Sequence, residues 1–202
     1  MGYEDTLSNL NASVLVSCIL EILETDNESL AELKSLGCNV LTHMMDLLPR
    51  SSDFVVPVIP SLLNTMSCSF VGDILERVIN VLEQVSRRHG REVLRCGGIS
   101  TVMNFYDFVT LAQHRTILTM VANCFASLRA HEDSEADFDL VADTLPGLAQ
   151  RLHEPEPRCV ERVCTCLARL VEAYRSRPDL LKRIAVDANL FTNLQQLVSI
   201  TS

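Results

Sequence analysis

Cys38-Asn39-Val40-Leu41, Ile79-Asn80-Val81-Leu82, Ala122-Asn123-Cys124-Phe125 and Cys164-Thr165-Cys166-Leu167 are four versions of one short pattern, and they decide the fold of this 202-residue chain. The polar second residue recurs at steps of 41, 43 and 42 positions. Self-similarity near forty residues is the signature of one supersecondary unit repeated along a solenoid. The surrounding residues say what that unit is. Within 73–88, Ile74, Val78, Val81 and Val85 share one helical face, with Leu75, Ile79 and Leu82 beside it. The stretch 156–174 repeats this with Val160, Val163, Leu167, Leu170 and Tyr174. An apolar face so wide is buried on two sides, so each unit must stack on its neighbours to close a core. The long helices are expected near 28–48, 73–88, 111–128 and 156–174.

A shorter helix precedes each of the last three long ones and another closes the chain, opening at Ile59-Pro60-Ser61-Leu62, Ile99-Ser100-Thr101-Val102, Leu145-Pro146-Gly147-Leu148 and Phe191-Thr192-Asn193-Leu194. Proline suits a first turn, because its missing N–H is not needed there and its φ is already helical. For Pro146 the alternative is a kink, since Phe138, Val141, Leu145, Leu148 and Leu152 form one continuous apolar stripe. Third helices are expected at 91–96, stopped by Gly97-Gly98, and at 178–186. The units after Asp46 and Ala130 show no clear first helix and read more like HEAT repeats. The expectation is all-α: an armadillo/HEAT-like right-handed superhelical solenoid of about four to five repeats, forming a single domain over 1–202.

Composition agrees. With 48% hydrophobic residues, only 7 Gly and 7 Pro, and no apolar run of bilayer length, the chain reads as a well-packed, soluble, intracellular helical body. The acidic start Met1-Gly2-Tyr3-Glu4-Asp5 is unlike a secretory signal. Eight cysteines sit inside apolar helical patterns, Cys18, Cys38, Cys96, Cys124, Cys159 and Cys164 among them, where a reduced thiol behaves as a small apolar side chain. With no CxxC and no paired histidine, neither a zinc site nor any other metal or cofactor is expected. A net charge of −9 disfavours nucleic acid and anionic membrane. Between 71 and 130, however, the chain is locally basic, with Arg77, Arg87, Arg88, Arg91, Arg95, Arg115 and Arg129 outnumbering the carboxylates. The five histidines are scattered, without HExxH, GxSxG or a phosphate-cradling loop, so no catalytic residue is expected.

Several segments taken together resemble a known family over nearly the whole chain: Leu48-Pro49-Arg50-Ser51-Ser52, Ser86-Arg87-Arg88-His89, Cys96-Gly97-Gly98, Ala122-Asn123-Cys124, the run from Phe138 to Pro146, Leu167-Ala168-Arg169-Leu170-Val171 and Thr192-Asn193-Leu194-Gln195-Gln196-Leu197. They resemble the armadillo region of the HECT-type ubiquitin ligase family of thyroid-receptor-interacting protein 12, with its yeast ubiquitin-fusion-degradation and plant KAKTUS-type relatives. In that family the chemistry resides in a C-terminal HECT module with a thioester-forming cysteine, and nothing here resembles that module. The resemblance therefore implies a non-catalytic scaffold that engages protein substrate and ubiquitin, nuclear or cytoplasmic, and monomeric as an isolated domain. The alternative is a free-standing armadillo adaptor unconnected with ubiquitin. The apolar ending Val198-Ser199-Ile200-Thr201-Ser202 is expected of a chain cut from a longer one, since solenoid ends carry polar caps.

Armadillo proteins of the importin type grip extended peptides with a Trp and an Asn four residues apart on each long helix. The equivalent positions here are Asn39 with His43, Asn80 with Gln84, Asn123 with Ser127, and Thr165 with Arg169. The chain contains no Trp, which argues against recognition of basic localisation signals. What remains is a row of amides and hydroxyls able to bond an extended backbone, the candidate partner-binding groove. Arg87, Arg88 and Arg91 form a candidate basic patch, against the simpler reading of a solvated helix end. The acidic run 131–137 reads as a mobile loop between repeats.

Overall fold

The computed structural model describes residues 12–25, 27, 30–49, 52–68, 72–128 and 134–201, and it is helical, with no strand among them. The α-helices, in chain order, are α1 (Ala12–Glu24), α2 (Ala31–Leu47), α3 (Ile59–Cys68), α4 (Gly72–Arg95), α5 (Gly98–Asn104), α6 (Leu111–Ser127), α7 (Ser134–Ala142), α8 (Leu145–Gln150), α9 (Pro157–Ala173), α10 (Pro178–Asp187) and α11 (Leu190–Thr201). The four long ones form a row: α2 packs on α4, α4 on α6, and α6 on α9. Behind them α1 packs against α2 and α3, α3 against α4 and α5, and α11 against α8. One hydrophobic core runs the length of this arrangement, from Val16 to Ala188. On α4 it takes in Ile74, Val78, Ile79, Val81, Leu82 and Val85, the wide face that the sequence periodicity picks out.

Local chemistry sets where the long helices start and stop. The Thr110 hydroxyl accepts from the Gln113 N–H at 3.4 Å and caps α6. The Glu156 carboxylate accepts from the Cys159 N–H at 3.0 Å and caps α9, with Pro157 in the first turn. The C-terminus of α2 is closed from outside: the Arg88 guanidinium donates to the carbonyl oxygens of Met45 and Leu48, placing a cation on the negative end of the helix. Gly97 follows α4 in the left-handed region at φ 76°, a turn that favours glycine.

Some expectations need correction, but the helix expected at 91–96 is present: α4 is two helices joined across a kink, broken at His89 (φ −122°, ψ 40°). There the His89 Nε2 lies 3.0 Å from the Ser52 carbonyl oxygen. Gly90 brings α4 so close to α6 that an added Cβ would lie 2.9 Å from the Asn123 carbonyl oxygen. The unit after Ala130 does have a first helix, α7. Of the acidic run 131–137, residues 131–133 lie outside the described residues, as does Arg129, but 134–137 belong to α7. Asp137, 1% exposed, is the reason the run holds shape: Arg91 approaches it at 2.8 and 2.9 Å and Arg95 at 3.0 Å. Pro146 stands in the first turn of α8 after a break at 143–144, as expected of a helix start and not of a kink, and Phe138, Val141, Leu145, Leu148 and Leu152 are all buried. Among the described residues, the unit after Asp46 has only the 3-10 turn Val56–Val58 before α3.

All eight cysteines are free thiols. Cys38, Cys124, Cys159 and Cys166 are buried, whereas Cys18, Cys68 and Cys96 are exposed and Cys164 lies between. The apolar-core reading therefore fails for Cys18, exposed on α1, and for Cys96, exposed in the turn after α4. Burial pushes the Cys38 thiol up to about 11, opposed in part by Arg77, and Cys166 up to about 12. It raises Cys124 as well. Among the described residues, no group of His, Cys, Asp and Glu is arranged to hold a metal ion, and no helix is long and apolar enough to cross a membrane.

Candidate partner-binding groove

An open groove of about 790 Å³ crosses the row of long helices. Asn39 and Thr42 come from α2; Arg77, Asn80, Gln84 and Arg87 from α4; Arg115, Thr116 and Thr119 from α6; and Arg162 from α9. The elements explain why these side chains meet. Each long helix turns its apolar face to the core, and residues three or four apart on the opposite face fall into line across neighbouring helices.

The candidate residues divide into groups. Asn80 is exposed on the groove wall, and the Gln84 side chain beside it has a buried amide oxygen with no hydrogen-bond partner. A buried acceptor left without a donor costs free energy. Asn39 also lines the groove, but its amide oxygen accepts from the Arg77 guanidinium at 2.6 Å. Asn123 is turned inward: its Nδ2 donates to Ser86 Oγ at 3.1 Å and to Glu83 Oε1 at 3.4 Å, tying α6 to α4. The Ser127 hydroxyl donates to the Cys124 carbonyl in its own helix at 2.6 Å. Thr165 and Arg169 line a second depression, of about 810 Å³, with Phe125, Leu128 and Ala168. His43 is exposed and lines neither.

The arginines at 87, 88 and 91 face three different neighbours. Arg87 forms a two-pronged pair with Glu83, at 2.9 and 2.8 Å, and lines the groove. Arg88 caps α2 and Arg91 holds Asp137, so the three do not make one patch. Residues absent from the expected row but present in the groove include Thr42, Arg77, Glu83, Arg115, Thr116, Thr119 and Arg162. Two of them carry a signal in the repeat register, Arg77 and Arg162, which stand three residues before the aligned Asn80 and Thr165.

Stacked helical units with one continuous core and a polar groove across their long helices define an armadillo-type α-solenoid. Solved structures agree on that fold: an engineered protein superposes with TM-score 0.60 at 10% identity, covering 90% of this chain and 80% of its own. A designed armadillo repeat protein in complex with the peptide (KR)4 superposes with TM-score 0.59 at 9% identity, covering 91% and 88%. The particular relationship comes from sequence relatives. The E3 ubiquitin-protein ligase TRIP12 of Danio rerio is 34% identical over 201 residues, matching 100% of this chain and 10% of the ligase. The E3 ubiquitin-protein ligase UPL3 of Arabidopsis thaliana is 27% identical over 201 residues, matching 98% and 10%, and the ubiquitin fusion degradation protein 4 of Saccharomyces cerevisiae is 29% identical over 122 residues, matching 58% and 8%. No family model matches the chain. Along its whole length the chain is thus similar to one region of these ubiquitin ligases, and it spans about a tenth of the length of the curated relatives it matches.

Proposed function

We propose that this chain is the non-catalytic, substrate- and ubiquitin-engaging scaffold of a HECT-type ubiquitin ligase, working in the nucleus or cytoplasm, and that the groove over α2, α4, α6 and α9 receives an extended polypeptide. The observation that carries this reading is the Asn80–Gln84 pair: an exposed amide beside a buried, unpartnered amide oxygen, both on the wall of a groove crossing four helices. Each amide can donate to and accept from an extended backbone, which is how a surface binds a chain without demanding one sequence. The designed armadillo neighbour in complex with a peptide supports the same use of the fold. The ligase relatives support the setting.

The test uses ubiquitin carrying an uncleavable C-terminal extension. The chain should bind this fusion, and the double variant Asn80→Ala/Gln84→Ala should bind about tenfold more weakly, two hydrogen bonds being worth about 0.5–1.5 kcal/mol each. The melting temperature should stay unchanged, since neither amide bonds a neighbouring repeat. Undiminished affinity in the double variant, or no binding by the wild type, would overturn the reading.

A further inference from the structure

The scaffold reading leaves the chemistry of the bound segment unspecified, and the groove's charge supplies it. Four arginines, Arg77, Arg87, Arg115 and Arg162, line the groove against one carboxylate, Glu83, in a chain whose formal net charge is −9. That carboxylate is already committed. Glu83 is 6% exposed, takes both prongs of Arg87 and accepts from Asn123. The arginines are less completely matched. Arg77 donates to the neutral amide oxygen of Asn39, and the half-buried Arg115 has an enclosed Nε with no acceptor. The carboxylate on which Arg115 acts, Glu156, is itself the cap of α9. Arg162 is exposed at the far wall.

Resting on the proposed scaffold function, we infer that the groove selects an extended acidic segment, rich in Asp and Glu, with Arg115 and Arg162 as its principal cationic contacts and Asn80 and Gln84 meeting its backbone. The dimensions suit such a ligand. Four helices packed at about 8–10 Å spacing give a track of about 25–30 Å, which about eight extended residues cover at about 3.3 Å each. A nucleic acid strand is also anionic, but it needs aromatic platforms for its bases and an electropositive surround. Among the described residues no aromatic side chain lines the groove. Guanidinium groups beside amides fit carboxylates on a peptide backbone better.

The experiment titrates the 202-residue chain into labelled octapeptides (Asp-Glu)4, (Gly-Ser)4 and (Lys-Arg)4 and reads fluorescence anisotropy at low and high salt. The acidic peptide should bind at least about tenfold more tightly than either of the others, and added salt should weaken it. Arg162→Glu, at an exposed position, should lower that affinity about tenfold with an unchanged melting temperature, and Arg115→Gln should weaken it too. Equal binding of (Gly-Ser)4, preference for (Lys-Arg)4, or full affinity in Arg162→Glu would overturn the inference. So would displacement of the acidic peptide by a lower concentration of a single-stranded oligonucleotide of equal charge. If the ubiquitin fusion still binds through Asn80 and Gln84 while (Asp-Glu)4 does not, the charge assignment falls and the scaffold stands; if neither binds, both fall.

Discussion

Asn39, Asn80 and Asn123 occupy one register of the repeat, yet their amides serve different ends. Asn123 joins α6 to Ser86 and Glu83 of α4, Asn39 receives Arg77, and Asn80 faces the open groove. Asn123→Ala should therefore cost about 1 kcal/mol and lower the melting temperature by about 2–4 °C in calorimetry. Asn80→Ala should leave it where it is. A matching drop in both variants would mean that the register as a whole ties repeats together. The row was legible in the sequence because a period near forty residues aligns it. Which members are free was not, because their partners come from the neighbouring helix, forty or so positions away. The thiols teach the same lesson: apolar neighbours in sequence marked Cys38 and Cys124 correctly but also Cys18 and Cys96, which face outward. Brief alkylation of the native chain at mildly alkaline pH should modify Cys18, Cys68 and Cys96 and spare Cys38, Cys124 and Cys166, whose buried thiols resist ionisation. Labelling of Cys124 on that timescale would contradict its burial.

Two elements hold the row of helices in place, and each exposes one residue to test. Gly90 sits where α4 bends and meets α6, and a methyl group there would press on backbone atoms of Asn123 and Cys124. Backbone cannot step aside as a flexible side chain does, so Gly90→Ala should destabilise by about 1–3 kcal/mol in denaturant unfolding. α7 is fastened differently, through the buried Asp137 between Arg91 and Arg95. Asp137→Ala removes the acceptor for both and should cost about 2–3 kcal/mol, less than a fully buried pair because the arginines are partly exposed. A loss within experimental error would show that α7 docks by its apolar face alone. The sequence signalled the long helices by their wide apolar faces and the turn at Gly97 by its glycine pair. It missed α7, because an acidic run looks like loop until its buried counter-charges, 42 and 46 residues away, are known.

At the scale of the molecule, repetition converts a weak local motif into a surface. No single long helix supplies the whole set of polar groups, but α2, α4, α6 and α9 stack on a continuous core and set them along one groove. That division explains why the fold was readable from periodicity while the groove's arginines were readable only in part: the core repeats its apolar pattern, whereas on the groove face Arg77 and Arg162 share a register position that Arg115 does not. The similarity to ubiquitin ligases gives the proposed surface a setting, and the groove gives the proposal a mechanism, in which Asn80 and Gln84 would bond a backbone and Arg115 and Arg162 would choose its charge. The most direct measurement follows the side-chain amide resonances of Asn80, Gln84 and Asn123 by NMR as the ubiquitin fusion bearing an acidic extension is added. The account predicts that the Asn80 and Gln84 signals shift and saturate together while Asn123, held by Ser86 and Glu83, stays in place. Saturable shifts confined to residues away from the groove, with Asn80 and Gln84 unmoved, would contradict it.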